Sequence, residues 1–207
     1  MCRFLLVQSK SAIQPKGILT KFATIAKKSK ALDGDWQGDG WGFAWIDTNG
    51  QWQVKRSLLP IWEEMGSFSD LPEVRSFAVH ARSASFPQHK GNVEFNQPYI
   101  MGEFAFVFNG LLKGVSLTAI PGKIGAEKIW YLLQRELKNT PPQISLKRTE
   151  KLLIDNSKEI VALNIGLMSS KNMFSLNYFT RNPEYYKLHH YKSQNLKIIC
   201  SEYIEWG

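Results

Sequence analysis

Ser76-Phe77-Ala78-Val79-His80-Ala81-Arg82-Ser83-Ala84-Ser85 is an apolar run delivered into a polar loop. A short continuous apolar segment bounded by turn residues predicts a buried strand, over Ser76–Ala81. Working outward, Cys2–Val7 reads as a short apolar strand, and Trp41–Ile46 and Trp52–Ser57 as two aromatic-rich ones. The Asn49-Gly50 pair between these last two predicts a type I′ hairpin. An acid-bearing loop or short helix follows near Ile61–Met65. Downstream, the polar stretch Ser83–Gln97 leads to an alternating strand at Glu103–Phe108. Further strands are expected at Val161–Met168, Phe174–Thr180, Tyr185–Tyr191 and Leu196–Cys200. Helical spacing marks residues 16–30, Ala126–Leu137 and Leu146–Ile154, with Asn139–Pro142 dividing the last pair. In the second helix Ile129, Leu132, Leu133 and Leu137 share one face. Strands come in runs with helices paired between them, which argues for an α+β protein of antiparallel sheets with helices packed outside.

The chain has 207 residues, and its length favours one domain, spanning 1–207. A hydrophobic share of 43% excludes a disordered chain. No apolar run approaches the ~20 residues of a membrane helix, and Phe4–Val7 is too short for a signal-peptide core, so a cytoplasmic protein is expected. The net charge of +8 invites a nucleic-acid reading, since Lys and Arg release counterions from phosphates. Lys16, Lys21, Lys27 and Lys28, however, fill the gaps between Ile18, Leu19, Phe22, Ile25 and Ala26, as on the wet side of an amphipathic helix. Nucleic acid is therefore not the expected partner; the charge can instead attract carboxylate-bearing substrates. Only Cys2 and Cys200 carry thiols, which excludes a disulfide framework, and His89, His189 and His190 lack ligand spacing. No metal and no cofactor is expected.

Several segments can carry chemistry. Cys2 follows only Met1, and once Met1 is removed it would join a thiol nucleophile to its own α-amine. That amine, with an ordinary pKa of ~7.7–8.0, can act as the general base near neutral pH. A lone cysteine is more often a small buried hydrophobe. Gly38-Asp39-Gly40-Trp41-Gly42 has alternate glycines, as a tight turn or a close backbone approach requires. Arg82, after the strand ending at His80-Ala81, can offer paired donors to a carboxylate; the plain alternative is a surface ion pair. Asn109-Gly110 between hydrophobics is a standard hairpin turn, or else a side-chain amide beside a backbone N–H that together stabilise an oxyanion.

The order of these segments is more specific than any one of them. Met1-Cys2-Arg3, Asp39-Gly40-Trp41-Gly42, His80-Ala81-Arg82-Ser83-Ala84-Ser85, Asn96-Gln97-Pro98 and Phe108-Asn109-Gly110-Leu111 together resemble the class II glutamine amidotransferases, amino-terminal-nucleophile (Ntn) hydrolases, and most of all their small stand-alone branch. The motif resemblance covers roughly residues 1–137, and Cys200-Ser201-Glu202 followed by Trp206 is similar to the family's terminal Ser-Glu strand end. It implies a four-layer α/β/β/α sandwich with two stacked, mainly antiparallel sheets. It further implies that Cys2 attacks the side-chain amide of glutamine, that Asn109 and Gly110 hold the oxyanion, and that a γ-glutamyl thioester forms as ammonia leaves. Arg82 would clasp the substrate carboxylate, Ser83 and Ser85 would line the pocket, and Arg3, Asp39 and Gly40 would support the site. With the sandwich using the whole length, any ammonia acceptor would be a separate chain.

Two positions depart from the resemblance. Where the family often carries an Asp for the substrate amine, this chain has Gly125 within Ile124-Gly125-Ala126-Glu127. Where a His is usual, it has Gln97. The Gly125 departure bears on the substrate and leaves open a γ-glutamyl amidase or peptidase acting on another γ-glutamyl amide. If Met1 is retained, a non-catalytic binding or scaffold subunit is the alternative.

Overall fold

The computed structural model describes residues 1–29 and 36–206. Its elements are β1 (Arg3–Ile13), α1 (Lys16–Lys27), β2 (Trp41–Ile46), β3 (Trp52–Ser57), β4 (Val74–Ala81), β5 (Tyr99–Met101), β6 (Phe104–Lys113), α2 (Gly125–Leu137), α3 (Pro142–Asp155), β7 (Glu159–Met168), β8 (Met173–Phe179), α4 (Pro183–Tyr186), β9 (His189–Lys192) and β10 (Leu196–Cys200). One sheet has the order β3-β2-β4-β1-β10-β9 and the other β5-β6-β7-β8. Every neighbouring pair is antiparallel.

The two-residue period of a strand sorts side chains into layers. On β1, Leu5 and Val7 pack with Leu19 and Phe22 of α1, whereas Phe4 and Leu6 face the second sheet. On β6, Ala105 and Val107 meet Phe4 and Leu6 between the sheets. Phe106 and Phe108 turn the other way, onto Ile129, Leu132 and Leu133 of α2. The result is four layers: α1, the six-stranded sheet, the four-stranded sheet, and the α2–α3 pair. This is the expected α+β sandwich.

Several local expectations are corrected. The chain does not turn at Asn109-Gly110. β6 continues through them, with Asn109 opposite Asn164 and Gly110 opposite Leu163 on β7. Ten residues of β6 find an apolar partner strand along their length, and that pairing overrides the local turn preference of Asn-Gly. The β2–β3 connection is not a two-residue type I′ turn. Gly50 takes a left-handed φ of 77° but Asn49 does not. The Asp47 carboxylate instead accepts from the N–H groups of Asn49 and Gln51, each at 2.9 Å, and shapes a longer loop. Tyr185–Tyr191 is not one strand, because Pro183 opens a short helix before β9 begins. The first helix ends at Lys27. The Gly/Asp cluster expected at 32–40 lies partly outside the described residues, as does Lys30.

Candidate functional site

Cys2 sits at the amino end of β1, beside Arg82, since the register pairs Arg3 with Ala81. Its thiol donates to the Ser83 carbonyl at 3.5 Å, and the Ser83 N–H points back to the sulfur at 3.4 Å. The strand end itself is clamped by the residues after β10. The Phe4 N–H donates to Ser201 Oγ at 2.8 Å, and the Ser201 N–H to the Phe4 carbonyl at 3.0 Å. Arg3 Nε donates to Glu202 Oε2 at 2.5 Å, and Ser29 Oγ bridges the pair at 3.0 and 2.9 Å. Both charges are buried, and Tyr185 covers the Arg3 guanidinium at 4.2 Å. Arg3 thus anchors the strand that presents Cys2 and does not line the cavity described below.

Asn109 continues the face of Ala105 and Val107, so its amide enters the space between the sheets. It has no exposed surface, and neither Oδ1 nor Nδ2 has a hydrogen-bond partner among the described residues. Such a group is uncommon in a folded protein and calls for a reason. One residue before it, Gln97 binds the β6 backbone with its side chain. Gln97 Oε1 accepts from the Phe108 N–H at 2.6 Å, and Gln97 Nε2 donates to the Phe108 carbonyl at 3.5 Å. The Gln97 side chain thereby extends the β5–β6 ladder beyond the end of β5. By the same two-residue alternation, the Gly110 N–H points to the same edge as that of Phe108, past the reach of Gln97.

His80 packs between the sheets, with Nε2 donating to the same Phe108 carbonyl at 3.2 Å. Burial, with the positive Arg82 close by, pushes its pKa down to about 3. At neutral pH it is an uncharged strut. Cys200, the second thiol, is buried in β10, and burial pushes its pKa up to about 12, which makes it inert filler.

The Asp39–Gly40 segment holds the loop after β4. The Asp39 N–H donates to the Arg82 carbonyl at 3.0 Å and the Arg82 N–H to the Gly40 carbonyl at 2.8 Å. Asp39 Oδ2 accepts from the Ala84 N–H at 2.8 Å, while Oδ1 pairs with Lys90 at 3.0 Å. Gly40 has a φ of 101°, and a Cβ there would strike the Asn96 amide. A Cβ on Gly42 would strike the Gln97 carbonyl oxygen. The alternate glycines therefore let Asn96-Gln97 lie directly on β2. Arg82 is buried, with Nη2 donating to the His89 carbonyl at 2.6 Å and Nη1 to Asn96 Oδ1 at 3.4 Å. Among the described residues no carboxylate pairs with it, and Nε–H and the second proton of each Nη stay available.

Cys2, Arg82, Ser83, Ser85 and Gly110 all line one cavity of about 600 Å³, with Ser85 at its exposed mouth. Gly125 opens onto the same space from the first position of α2, and a Cβ there would meet nothing within 4 Å. Glu127 does not reach toward the cavity. Its Oε2 caps α2 by accepting from the Lys123 N–H at 2.6 Å and the Ile124 N–H at 3.4 Å.

Comparison with solved structures identifies this arrangement of layers. The chain is similar to a glutamine aminotransferase class-II domain protein from Silicibacter pomeroyi, with a TM-score of 0.62 and 14% identity over 97% of this chain and 88% of that one. It is also similar to the glutamine phosphoribosylpyrophosphate amidotransferase of B. subtilis, with a TM-score of 0.68 and 14% identity over 97% of this chain and 42% of that one. The fold is that of a class II glutamine amidotransferase domain. No family model matches the chain, and no curated protein does.

On this amidotransferase fold, the sequence-predicted residues Cys2, Arg82, Ser83, Ser85 and Gly110 converge on one cavity, with Asn109 beside it. Arg3, Asp39 and Gly40 lie one step back, in the hydrogen bonds and packing that hold it. Sequence reasoning missed Gln37, whose Nε2 donates to the Met1 carbonyl at 2.9 Å, and gave no role to Asn96 of the Asn96-Gln97-Pro98 segment, which donates to the Ser57 carbonyl at 2.7 Å while receiving Arg82. Neither role has a local signal, because each acts through a partner distant in the chain. Gln97 stands out in the sequence as a departure, but its role as a backbone mimic is not legible there.

Proposed function

We propose that the protein is an amino-terminal-cysteine amidohydrolase or amidotransferase, a single domain over 1–207 that releases ammonia from a glutamine-type side-chain amide. The observation that carries this reading is the buried Asn109 amide, without a hydrogen-bond partner among the described residues, next to Gly110, which lines the same cavity as Cys2. Two donors at that position suit a tetrahedral oxyanion, and their preorganisation is the largest single contribution to such catalysis.

With Met1 removed, the Cys2 α-amine accepts the thiol proton as sulfur attacks the amide carbon. The C–O π electrons move onto oxygen, facing Asn109 Nδ2–H and the Gly110 N–H. Collapse of the adduct breaks the C–N bond, and the proton held by the amine passes to nitrogen, which leaves as ammonia. Water then adds to the thioester and gives the carboxylic acid and the free thiol, or an amine acceptor takes its place. Arg82 holds the substrate carboxylate, Ser83 and Ser85 border it, and Arg3, Asp39 and Gly40 position the surrounding backbone. Ammonia can be passed to a separate acceptor chain. Among the described residues no helix is long and apolar enough to cross a membrane.

A second reading has its own support. Met1 packs on Val161, Ala162 and Tyr186, and its carbonyl accepts from Gln37. A chain that keeps Met1 has no free base at Cys2 and would act as a binding subunit. Intact mass separates the two readings directly. In protein that has lost Met1, a glutamine-analogue electrophile should label wild type and not Cys2→Ala, with ammonia released from a γ-glutamyl amide. Free Cys2 that neither labels nor releases ammonia refutes the catalytic reading.

A further inference from the structure

The cavity next to Cys2 is larger and more apolar than a free amino acid requires. It runs from the nucleophile under α2, between the four-stranded sheet and the helices, and its walls include Leu112, Leu117, Ile124, Ile129, Leu132 and Leu153. Its volume of about 600 Å³ falls in the range of ~300–1,000 Å³ that suits a drug-sized ligand. The charged side chains among its described lining residues are Arg82, Lys113 and Lys128, all cationic. Lys113 pairs with Glu159 at 2.9 Å and Lys128 is exposed, so Arg82 is the buried charge among these three. Glu127, two residues after Gly125, is occupied in capping α2.

Free glutamine would bring an α-ammonium into this apolar, positively charged space. An ammonium taken out of water needs a carboxylate partner, and a neighbouring guanidinium repels it. Converting that amine to a neutral amide removes the buried charge. An aliphatic chain on the same nitrogen then covers the apolar walls, gaining roughly fourfold in affinity per buried methylene.

We infer that the substrate of this site is a glutamine whose α-nitrogen carries an apolar acyl group, with the α-carboxylate on Arg82 and the acyl chain under α2. This inference rests on the amidohydrolase reading above. The side-chain amide still reacts at Cys2 in the same balanced steps, with ammonia leaving and water completing the hydrolysis.

The test compares L-glutamine with its Nα-acetyl, Nα-butanoyl and Nα-octanoyl derivatives. Binding is measured by calorimetry on Cys2→Ala, and ammonia release on wild type shown by mass to have lost Met1. Affinity and kcat/KM should both rise along the series, with the octanoyl compound at least about thirtyfold above L-glutamine, since several methylenes are buried. Gly125→Asp, which adds a carboxylate where space is open, should move preference back toward L-glutamine. The inference is overturned if Cys2→Ala binds L-glutamine as tightly as the octanoyl compound, or if chain length has no effect. Free octanoate as the product would also overturn it, since the acyl carbon would then have been at Cys2. If the series binds in the expected order but no ammonia appears, the catalytic proposal fails and the ligand class stands. If L-glutamine alone is hydrolysed, catalysis stands and the ligand class fails.

Discussion

Replacing Asn109 with leucine should make the protein more stable while sharply slowing the proposed ammonia release. The side chain has no exposed surface, and both its polar atoms lack a partner among the described residues. A buried polar group left unsatisfied costs about 1–3 kcal/mol of desolvation. Leucine has similar bulk and continues the apolar face of Ala105 and Val107 on β6, so most of that cost is recovered. For a chain of this size about 1 kcal/mol moves Tm by about 2–4 °C, which puts the expected rise at about 2–10 °C. The same change removes one of the two proposed oxyanion donors, for an expected loss of ~10²–10³ in ammonia release. Urea and thermal unfolding of the two proteins give the first number, and ammonia release from protein with a free Cys2 gives the second. A structural asparagine would behave in the opposite way. If Asn109→Leu loses about 1 kcal/mol or more, or releases ammonia at the wild-type rate, the oxyanion assignment is wrong.

Glu202→Gln strands the buried Arg3 guanidinium and should cost about 3–5 kcal/mol, read as a lower urea midpoint. An unchanged midpoint would mean that the pair does not hold the strand end. For His80 the folded pKa of about 3 lies below the ordinary value of 6.5, so only the unfolded chain binds a proton between them. The associated stability is full above the upper value and falls as pH drops, by ~1.4 kcal/mol per pH unit, or about 2 kcal/mol at pH 5. His80→Gln should remove that slope from unfolding curves taken between pH 6.5 and 4, and an identical slope would refute the assignment.

The strand alternation of Glu103–Phe108 and the helical face of Ile129, Leu132 and Leu133 were legible because they depend on neighbours two to four residues away. Cys2, Arg82 and the Asn109-Gly110 pair were visible only as an ordered set of motifs. Whether Asn-Gly turned the chain or continued it was undecidable locally, since the answer depends on β7, more than fifty residues later. The longer Asp47 loop is illegible for a related reason: a side chain outside the Asn-Gly pair sets its geometry.

By itself, then, the sequence determined the periodicities, the helix faces, and the residue types able to attack an amide or bind a carboxylate. Those properties are local, because backbone geometry repeats every few residues. The tertiary structure alone decided that Glu202 clamps the strand carrying Cys2, that Gln97 takes the place of a missing strand, and that the Asn109 amide has no partner among the described residues. It also decided that the cavity walls are mainly apolar and that the charged side chains among its described lining residues are cations. Hydrogen bonds and burial between residues as far apart as Arg3 and Glu202 are set by how the two sheets pack, and no short window of sequence contains that information.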